Sequence, residues 1–416
     1  MNRVVFLNRF CWPEEPATAQ LLTDLTEALA AGGRRVRVLA SHPGTAGLPA
    51  RETHQGVELC RVRSPRAGGR GKVAKAFNWA AFALAALWRV ACDTRRGDIM
   101  VLLTDPPLLA VVAAPLARAR GARVVHWVQD IYPELPMALG ARGLGWLRAP
   151  RDRAWRRADA CVTPGGDMAV FVCTRGASAT KIHVIPNWAP SGVAPADGAQ
   201  TAAQRRAWGV EDKLVVAYSG NLGRVHDLEP VIGLAAALQA DRDFVFLFIG
   251  DGAQRPRLEE LARTLALPNV RFLPAVPRAG LAAGLAAADV HLVTLRAGCA
   301  QLVLPSKLAG AAASGRPVLF IGPPDCEPAR MVTGAALGAA FDRAATAAMA
   351  DTLRAWRDAP GDRATLGRAA RAFATREAGL AGAVARWREL LATLDQPPGE
   401  GACRPAGGPA PLAPPR

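Results

Sequence analysis

The stretch QLVLPSKLAGAAASGRPVLFIG, residues 301–322, carries the most information about the fold. It predicts a loop, a helix that Ser306 caps and Gly315 ends, and a buried strand over residues 317–321. The helix consists almost entirely of small residues, so a ligand or another backbone can come close to it. Ser306 and Lys307 stand at its start, where free N–H groups, the helix dipole and the ammonium together predict an anion site suited to a diphosphate. An ordinary alanine-rich packing helix with a surface lysine would show the same pattern.

The composition indicates acidic partners. The 416 residues carry a formal net charge of +16, and lysine accounts for only five of the 51 basic residues. Such a balance suits nucleic acid, anionic lipid or phosphorylated ligands. No groove-reading motif or aromatic-basic platform is present, so we expect no nucleic-acid partner.

Cysteine spacing and hydropathy indicate the compartment. The eight cysteines show no CxxC pair and no metal-ligand spacing, which predicts reduced thiols and no metal site. The N-terminus lacks the pattern of a signal peptide, and no apolar segment is long enough to span a bilayer. A cytosolic setting is therefore expected.

Strands and helices alternate along both halves of the chain. This predicts an α/β fold with two doubly wound parallel sheets, whose ligands bind in a cleft beyond the carboxyl ends of the strands. The predicted segments are a Rossmann-like domain over 1–190, a linker over 191–206, a second Rossmann-like domain over 207–375, a helix packing back across the domains over 376–395, and a disordered tail over 396–416.

Two strand ends in the second half carry candidate binding residues. Gly220, Asn221 and Arg224 follow the first strand and precede a helix, so the backbone can approach a ligand closely beside a cation. Gly250 and Asp251 close the next strand, where a small-residue turn can form the floor of a base or ribose site. Either segment also fits a plain turn between a strand and a helix.

In the first half, Asp130, Tyr132 and Glu134 follow a predicted strand directly. Catalytic or substrate contacts belong at such a strand end. Asp130 could instead cap the following turn. His126 alternates with apolar neighbours in the strand and is expected to be a core histidine with satisfied hydrogen bonds.

A very apolar helix is predicted over residues 74–92. It is too short to cross a bilayer, and basic residues precede it, as in elements that lie on anionic lipid. A buried helix that covers the sheet would use the same residues. The basic residues of this segment are Arg61, Arg63, Arg66, Arg70, Lys72 and Lys75.

Taken together, these segments resemble the retaining GT-B glycosyltransferases of family four, in the bacterial branch of exopolysaccharide and colanic-acid-type enzymes. The resemblance runs in order over residues 1–375. It implies two Rossmann-like domains facing a cleft, with a UDP- or GDP-linked nucleotide-sugar on the second domain and the acceptor on the first. It also implies retention of anomeric configuration without an obligatory metal or a cofactor. The matching segments are FCWPEEPATAQLLTDLTEAL, VQDIYPE, VIPNWA, YSGNLGRVHDLEP, FIGDG, RFLP, AADVHLV and LPSKLAGAAASGRPVLFIG.

The resemblance also implies roles for single residues. Arg224 and Lys307 would stabilise the leaving diphosphate by electrostatics, and Asp130 matches the acidic residue on the acceptor side. The implied donor-binding residues are Gly220, Asn221, Gly250, Asp251, Ser306 and Gly310.

The sequence departs from the family at three positions. The usual pair of glutamates would fall on Leu302 and Gly310, and neither residue is acidic. Gln129 stands where many relatives have histidine. The identity of the donor therefore does not transfer from the family.

The expected function is transfer of a sugar to a polyprenyl-diphosphate-linked acceptor during surface polysaccharide synthesis. The expected location is cytoplasmic and peripheral, at the inner face of the plasma membrane, on an anionic surface. A nucleotide-sugar 2-epimerase and a non-catalytic scaffold that binds a nucleotide-sugar are the alternatives.

Overall fold

The structure, a computed structural model, describes residues 1–45, 47–64, 71–194 and 198–396. These residues form two parallel sheets with apolar cores on both faces, so the predicted α/β class with two Rossmann-like domains is confirmed. Strand β1 (Val4–Leu7) shows why both faces are covered. Its Val4 and Phe6 lie in one core, whereas Val5 and Leu7 lie in another, because successive side chains point to opposite faces.

The first domain is built on an eight-stranded sheet. After β1, its strands are β2 (Val36–Ser41), β3 (Arg51–His54), β4 (Val57–Val62), β5 (Ile99–Leu102), β6 (Arg123–Trp127), β7 (Ala160–Thr163) and β8 (Ile182–Val184). They are ordered β3-β4-β2-β1-β5-β6-β7-β8, and β3 pairs antiparallel with β4 at the edge. The helices are α1 (Ala17–Ala31), α2 (Lys72–Asp93), α3 (Leu109–Ala119), α4 (Glu134–Ala138), α5 (Arg148–Arg157) and α6 (Gly166–Thr174).

The second domain is built on a six-stranded parallel sheet. Its helix α7 (Gly198–Trp208) precedes the strands β9 (Leu214–Ser219), β10 (Phe244–Ile249), β11 (Val270–Leu273), β12 (Val290–Thr294), β13 (Val318–Ile321) and β14 (Gly338–Phe341). They are ordered β11-β10-β9-β12-β13-β14, so the strand order reverses between β9 and β12. The further helices are α8 (Glu229–Ala237), α9 (Arg255–Thr264), α10 (Leu281–Ala286), α11 (Lys307–Ala313), α12 (Glu327–Gly334), α13 (Thr346–Asp358), α14 (Pro360–Arg376) and α15 (Leu380–Asp395).

The linker prediction needs a correction. Residues 198–206, predicted as part of an irregular linker, belong to helix α7. Alanine, glutamine and arginine dominate this segment and are strong helix formers, which outweighs its lack of apolar periodicity.

Helix α15 returns to the first domain. Its Trp387 is fully buried, and the indole contacts Phe6 and Trp127 with ring centroids 6.3 and 5.0 Å away. The Arg34 guanidinium donates to both carboxylate oxygens of Asp395, at 2.5 and 2.9 Å. The end of the described chain is therefore fixed to the first sheet.

Two helices that face each other across the domain boundary cap one another. The Glu327 carboxylate of α12 accepts hydrogen bonds from the backbone N–H groups of Gly166 and Asp167 at the start of α6, at 2.8 and 2.9 Å. The Asp167 carboxylate in turn accepts from the backbone N–H of Glu327 at 2.9 Å. Each helix start, with its free N–H groups and positive dipole end, thus receives a carboxylate from the other domain.

Helix α2 is apolar on two opposite faces. Phe82 and Val90 are buried against the sheet, whereas Leu84 and Trp88 are each 70% exposed. The interpretation as a buried, sheet-covering helix is confirmed for one face, and the interpretation as a helix on anionic lipid stays a prediction for the other. Arg61 was predicted to belong to the basic residues that flank this helix. It is instead buried and paired with Glu52 at 2.5 Å. The basic residues Arg66 and Arg70 lie outside the described residues.

Candidate active site

Lys307 is the first residue of α11 and lies at the carboxyl end of the second sheet. Its Nζ is 3.0 Å from Nε2 of His226 and 5.1 Å from the centre of the Tyr218 ring. Burial lowers the pKa of Lys307 to about 8. No ion pair joins Lys307 to a carboxylate among the described residues. The ammonium therefore sits among neutral groups, with its charge uncompensated by the protein.

Gly220 and Gly250 bring two loops against this lysine. Gly220 has φ +124°, and a Cβ there would lie 2.8 Å from Cε of Lys307. Gly250 has φ +130°, and its Cβ would overlap the Gly220 carbonyl. Only glycine allows this approach, since other residues rarely adopt such φ values and would need the same space. The backbone N–H of Leu222 donates to the Asp251 carbonyl at 2.8 Å, which ties the two loops together.

The predicted polar residues of these loops face solvent. Asn221, Arg224 and Asp251 are exposed. Asn221 accepts a hydrogen bond from the Tyr218 hydroxyl through its backbone carbonyl, at 2.8 Å. Arg224 makes no hydrogen bond or ion pair with any residue in the described part of the chain, so its guanidinium is available to a ligand.

Helix α11 differs in two ways from the sequence prediction. Ser306 is exposed, has helical dihedral angles and makes no side-chain capping hydrogen bond. The helix is seven residues long, so Lys307 is the main source of positive charge here. Gly310 is buried, and a Cβ there would meet Leu285 and Pro190. The structure thus places Ser306 beside Lys307 at the surface, whereas Gly310 does not reach the exposed part of the site.

Asp130 lies just after β6, where the two domains meet. It pairs with Val303 in an antiparallel bridge, and the backbone N–H of Ile131 donates to the Leu302 carbonyl at 2.9 Å. The loop that leads to Lys307 is therefore hydrogen-bonded to the strand end that carries Asp130. The predicted first-domain carboxylate and the second-domain lysine thus belong to one interdomain region.

A second carboxylate accompanies Asp130. Burial, reinforced by the negative charge of Asp105, raises the pKa of Asp130 to about 6. Burial also raises the pKa of Asp105 to about 6, although Arg9 opposes that shift. Burial and both carboxylates raise the pKa of Tyr132 as well. Asp105 follows β5, the neighbour of β6, so the two aspartates leave adjacent parallel strands at nearly the same level.

His126 was expected to be a core histidine with satisfied hydrogen bonds, and the structure differs on the second point. It is buried, but its Nε2 has no hydrogen-bond partner in the described part of the chain. It lines a small pocket with Thr104, Asp130 and Tyr132. Burial lowers the pKa of His126 to about 4, so the ring is neutral near pH 7. The residues described hold no group of three or more His, Cys, Asp or Glu side chains placed to bind a metal ion.

Comparisons with known proteins agree with this two-domain fold. A family model described as a glycosyl transferase 4-like domain matches residues 18–188, and one described as glycosyl transferases group 1 matches residues 200–373. A protein named as a colanic acid biosynthesis glycosyl transferase, WcaI of Escherichia coli (strain K12), is 28% identical over 73% of this chain and 79% of its own length. The chain belongs to the GT-B glycosyltransferases of family four.

Further relatives support this family. The glycosyltransferase WbjE of Pseudomonas aeruginosa is 28% identical over 60% of this chain and 64% of its own length. The crystal structure of HepE from Anabaena in complex with UDP matches with a TM-score of 0.72 at 16% identity, over 94% of this chain and all of that one. Sucrose-phosphate synthase from Thermosynechococcus elongatus matches with a TM-score of 0.74 at 16% identity, over 95% and 99% of the two chains. The two structures share the fold of this glycosyltransferase.

Sequence reasoning did not single out two residues of the candidate site. His226 lies within the quoted segment YSGNLGRVHDLEP, but its contact with Lys307 spans 81 positions. Asp105 had a usable signal, because it follows a strand that neighbours the strand before Asp130. Gln129, at the position where many relatives have histidine, forms two hydrogen bonds with the Asn187 amide, at 2.8 and 3.1 Å.

Proposed function

We propose that this glycosyltransferase moves a sugar from a nucleotide-sugar to a lipid-linked saccharide in surface polysaccharide synthesis, with retention of anomeric configuration. The observation that carries the donor half is the Lys307 ammonium, which is partly buried and surrounded by neutral groups. A cation in such a place attracts an anionic ligand more strongly than an exposed one, because the local dielectric is lower. The diphosphate of a nucleotide-sugar supplies that anion.

The residues of the site suit departure of a diphosphate. Negative charge grows on the leaving diphosphate as the glycosidic bond breaks, and fixed positive charges stabilise it. Lys307 provides one such charge, and the free guanidinium of Arg224 provides a second with a fork that matches phosphate oxygens. Asp130 would accept a hydrogen bond from the attacking hydroxyl of the acceptor. We propose that the reaction needs no metal and no further cofactor.

Among nucleotides, UDP is the first to test. The Anabaena HepE structure holds UDP on the same fold. The colanic acid function in the name of the Escherichia coli relative supports polysaccharide synthesis as the process. GDP is retained as the second nucleotide because the family resemblance implies either a UDP- or a GDP-linked donor.

The outward face of α2 supports a membrane partner. Val73, Phe77, Leu84 and Trp88 are 85, 49, 70 and 70% exposed. Their spacing of 4, 7 and 4 residues places them on one side of the helix, in a stripe about 22 Å long. Lys72 and Lys75 stand in the first turn. An apolar stripe with basic residues at one end suits the surface of an anionic bilayer, where a lipid-linked acceptor would also lie.

Among the described residues, no helix has the length and apolar character needed to cross a membrane. We propose a peripheral position at the inner face of the plasma membrane, on the cytoplasmic side. Contact through α2 would bring the first domain, which holds the Asp130 side of the cleft, to the lipid that carries the acceptor.

The donor proposal is tested by melting temperature. Purified protein is heated with UDP, GDP or dTDP and with the corresponding nucleotide-sugars, and Lys307→Ala is treated in parallel. A ligand that binds only the folded state raises the melting temperature by mass action. Stabilisation of the wild type by one nucleotide, with a much smaller effect in Lys307→Ala, supports the site. Equal stabilisation of both proteins, or of neither, contradicts it.

The transfer itself requires a second assay. The stabilising nucleotide-sugar is incubated with a polyprenyl-diphosphate-linked saccharide, and the product linkage is read by NMR. A product with the anomeric configuration of the donor is expected. An inverted product would refute retention, and hydrolysis of the donor without transfer would refute the lipid-linked acceptor.

Membrane binding is tested by sedimentation with vesicles. Vesicles of phosphatidylglycerol and phosphatidylethanolamine should retain the wild type, whereas the double variant Leu84→Ser and Trp88→Ser should bind much more weakly. Trp146→Ser is the matched control, because Trp146 is 73% exposed in the same domain but lies outside α2. Equal loss of binding in the control and the double variant would argue against a specific role of α2.

A further inference from the structure

We propose that His226 is a positioning residue that holds the Lys307 ammonium in the place and orientation that the donor diphosphate requires. The inference rests on the proposed function, since it concerns the same donor site. Three elements meet at this histidine. It follows β9, its Nδ1 is 2.8 Å from the Thr294 carbonyl at the end of β12, and its Nε2 is 3.0 Å from Nζ of Lys307 at the start of α11.

The two contacts fix the tautomer of the ring. A carbonyl oxygen only accepts, so Nδ1 of His226 must carry the proton that it donates to Thr294. Nε2 is then unprotonated and offers its lone pair to the ammonium of Lys307. A doubly protonated ring could not make this contact, because both nitrogens would be donors. Burial, together with the charge of Lys307, lowers the pKa of His226 to about 3, so the ring remains neutral at the pH values used in the binding and NMR measurements described below.

The remaining surroundings do not hold the ammonium by charge. The Tyr218 ring lies beneath it, and the Gly220 backbone packs against its stem. A lysine side chain has four rotatable carbons, so a single directional hydrogen bond decides where its charge rests. The other ionisable groups on these elements and the loops that follow them have the following settings. Tyr218 has a pKa raised by burial, and Arg224 is exposed. Asp227 pairs with Arg343 at 3.0 Å, the His291 ring on β12 lies 3.0 Å from the Leu285 carbonyl, and Arg296 donates to Gln254 at 3.2 Å.

The inference predicts two separate effects when the ring nitrogen is lost. In His226→Phe, Lys307 loses the acceptor that directs it, so the affinity for the stabilising nucleoside diphosphate should fall roughly tenfold to a hundredfold, as for a hydrogen bond to a charged group. The charged form of Lys307 also loses a partner. Nucleotide affinity is expected to decline at high pH, as Lys307 loses its proton. This decline, the alkaline limb of the binding profile, should therefore move to lower pH. In His226→Gln, the side-chain oxygen can accept from the lysine and should restore part of the affinity.

A matched control is available in the same domain. His291 is as buried as His226, and its Nε2 lies 3.0 Å from the Leu285 carbonyl, away from Lys307. His291→Phe therefore makes the same chemical change in the same domain. It should lower the melting temperature without moving the alkaline limb of nucleotide binding. Binding is measured by calorimetry with UDP or GDP, whichever stabilises the wild type, from pH 7 to pH 9.5.

The wild type provides a further test, in which a variant is needed only to assign the signal. Protein labelled with ¹⁵N-histidine should show one ring, assigned by its loss in His226→Gln, that is protonated at Nδ1, unprotonated at Nε2 and unchanged from pH 5 to pH 8. A ring that titrates in that range, or one protonated at Nε2, overturns the inference. So does wild-type affinity and an unmoved alkaline limb in His226→Phe. Absence of nucleotide binding by the wild type would instead refute the proposed function, and the NMR result would still decide the pairing.

Discussion

The pH dependence of nucleotide binding is the sharpest consequence of the Lys307 environment. Burial lowers the pKa of this lysine to about 8 in the free protein, because no carboxylate in the described part of the chain offsets the loss of solvent. A bound diphosphate would favour the charged form and raise the pKa again. Binding is therefore linked to proton uptake, and affinity is fully present below pH 8 and is lost as the pH rises above it.

The size of the effect follows from the pKa. If only the charged lysine binds the diphosphate, the affinity should fall about tenfold between pH 7 and pH 9, since roughly one molecule in ten is then protonated. At pH 8, about half a proton should be taken up per nucleotide bound. An exposed lysine of ordinary pKa would change affinity only slightly over this range.

Calorimetry with UDP or GDP in two buffers of different ionisation enthalpy measures both quantities. Lys307→Arg is the control, because arginine stays charged to about pH 12 and should show a flat profile with no proton uptake at pH 8. Ionisation of the nucleotide base affects binding to both proteins equally, so it cancels in the ratio of their affinities. Equal pH profiles for the wild type and Lys307→Arg would refute the assignment of the alkaline limb to Lys307.

Further predictions concern the acceptor side, the loops and the domain boundary. Turnover should fall below about pH 6 as Asp130 becomes protonated. Asp105→Asn removes a negative neighbour and should move this fall in turnover to lower pH. An unchanged pH of the fall would contradict the influence of Asp105 on Asp130. Gly250→Ala should lower the free energy of unfolding by at least about 2 kcal/mol, whereas Gly233→Ala, in an open helical position, should raise it by up to about 1 kcal/mol, as read by urea denaturation. Glu327→Ala should cost about 1–2 kcal/mol by the same measurement, because two backbone N–H groups of α6 lose their cap; an unchanged unfolding midpoint would show that water replaces it.

The elements of the fold that can be predicted are those that the local sequence pattern determines. Helix α1 has four leucines on one face before a Gly-Gly stop, and this local pattern predicts a helix over residues 17–31, as the structure has it. The short strand β14 is not predictable in this way, because its sequence, GAAF, lacks the bulky β-branched residues that mark a strand. It exists through pairing with β13, which is a tertiary contact.

The candidate site divides in the same way. Lys307 could be found from sequence because lysine is rare in this chain and stands at a predicted helix start. Its neutral surroundings could not be found, because they depend on a histidine and a tyrosine from other elements. The burial of Gly310 under Leu285 and Pro190 is likewise a matter of packing, which small residues in a helix leave undetermined.

The missing glutamate at Leu302 has a physical explanation in the domain boundary. The Leu302 side chain is 7% exposed and belongs to an apolar cluster with Ile131 and Leu135, and the Leu302 carbonyl accepts a hydrogen bond from the opposite domain. A glutamate there would bury a carboxylate in apolar surroundings, close in sequence and space to the bridge that carries Asp130. Burial without a partner would disfavour the ionised carboxylate. Leucine at this position therefore keeps the domain boundary packed without a buried charge.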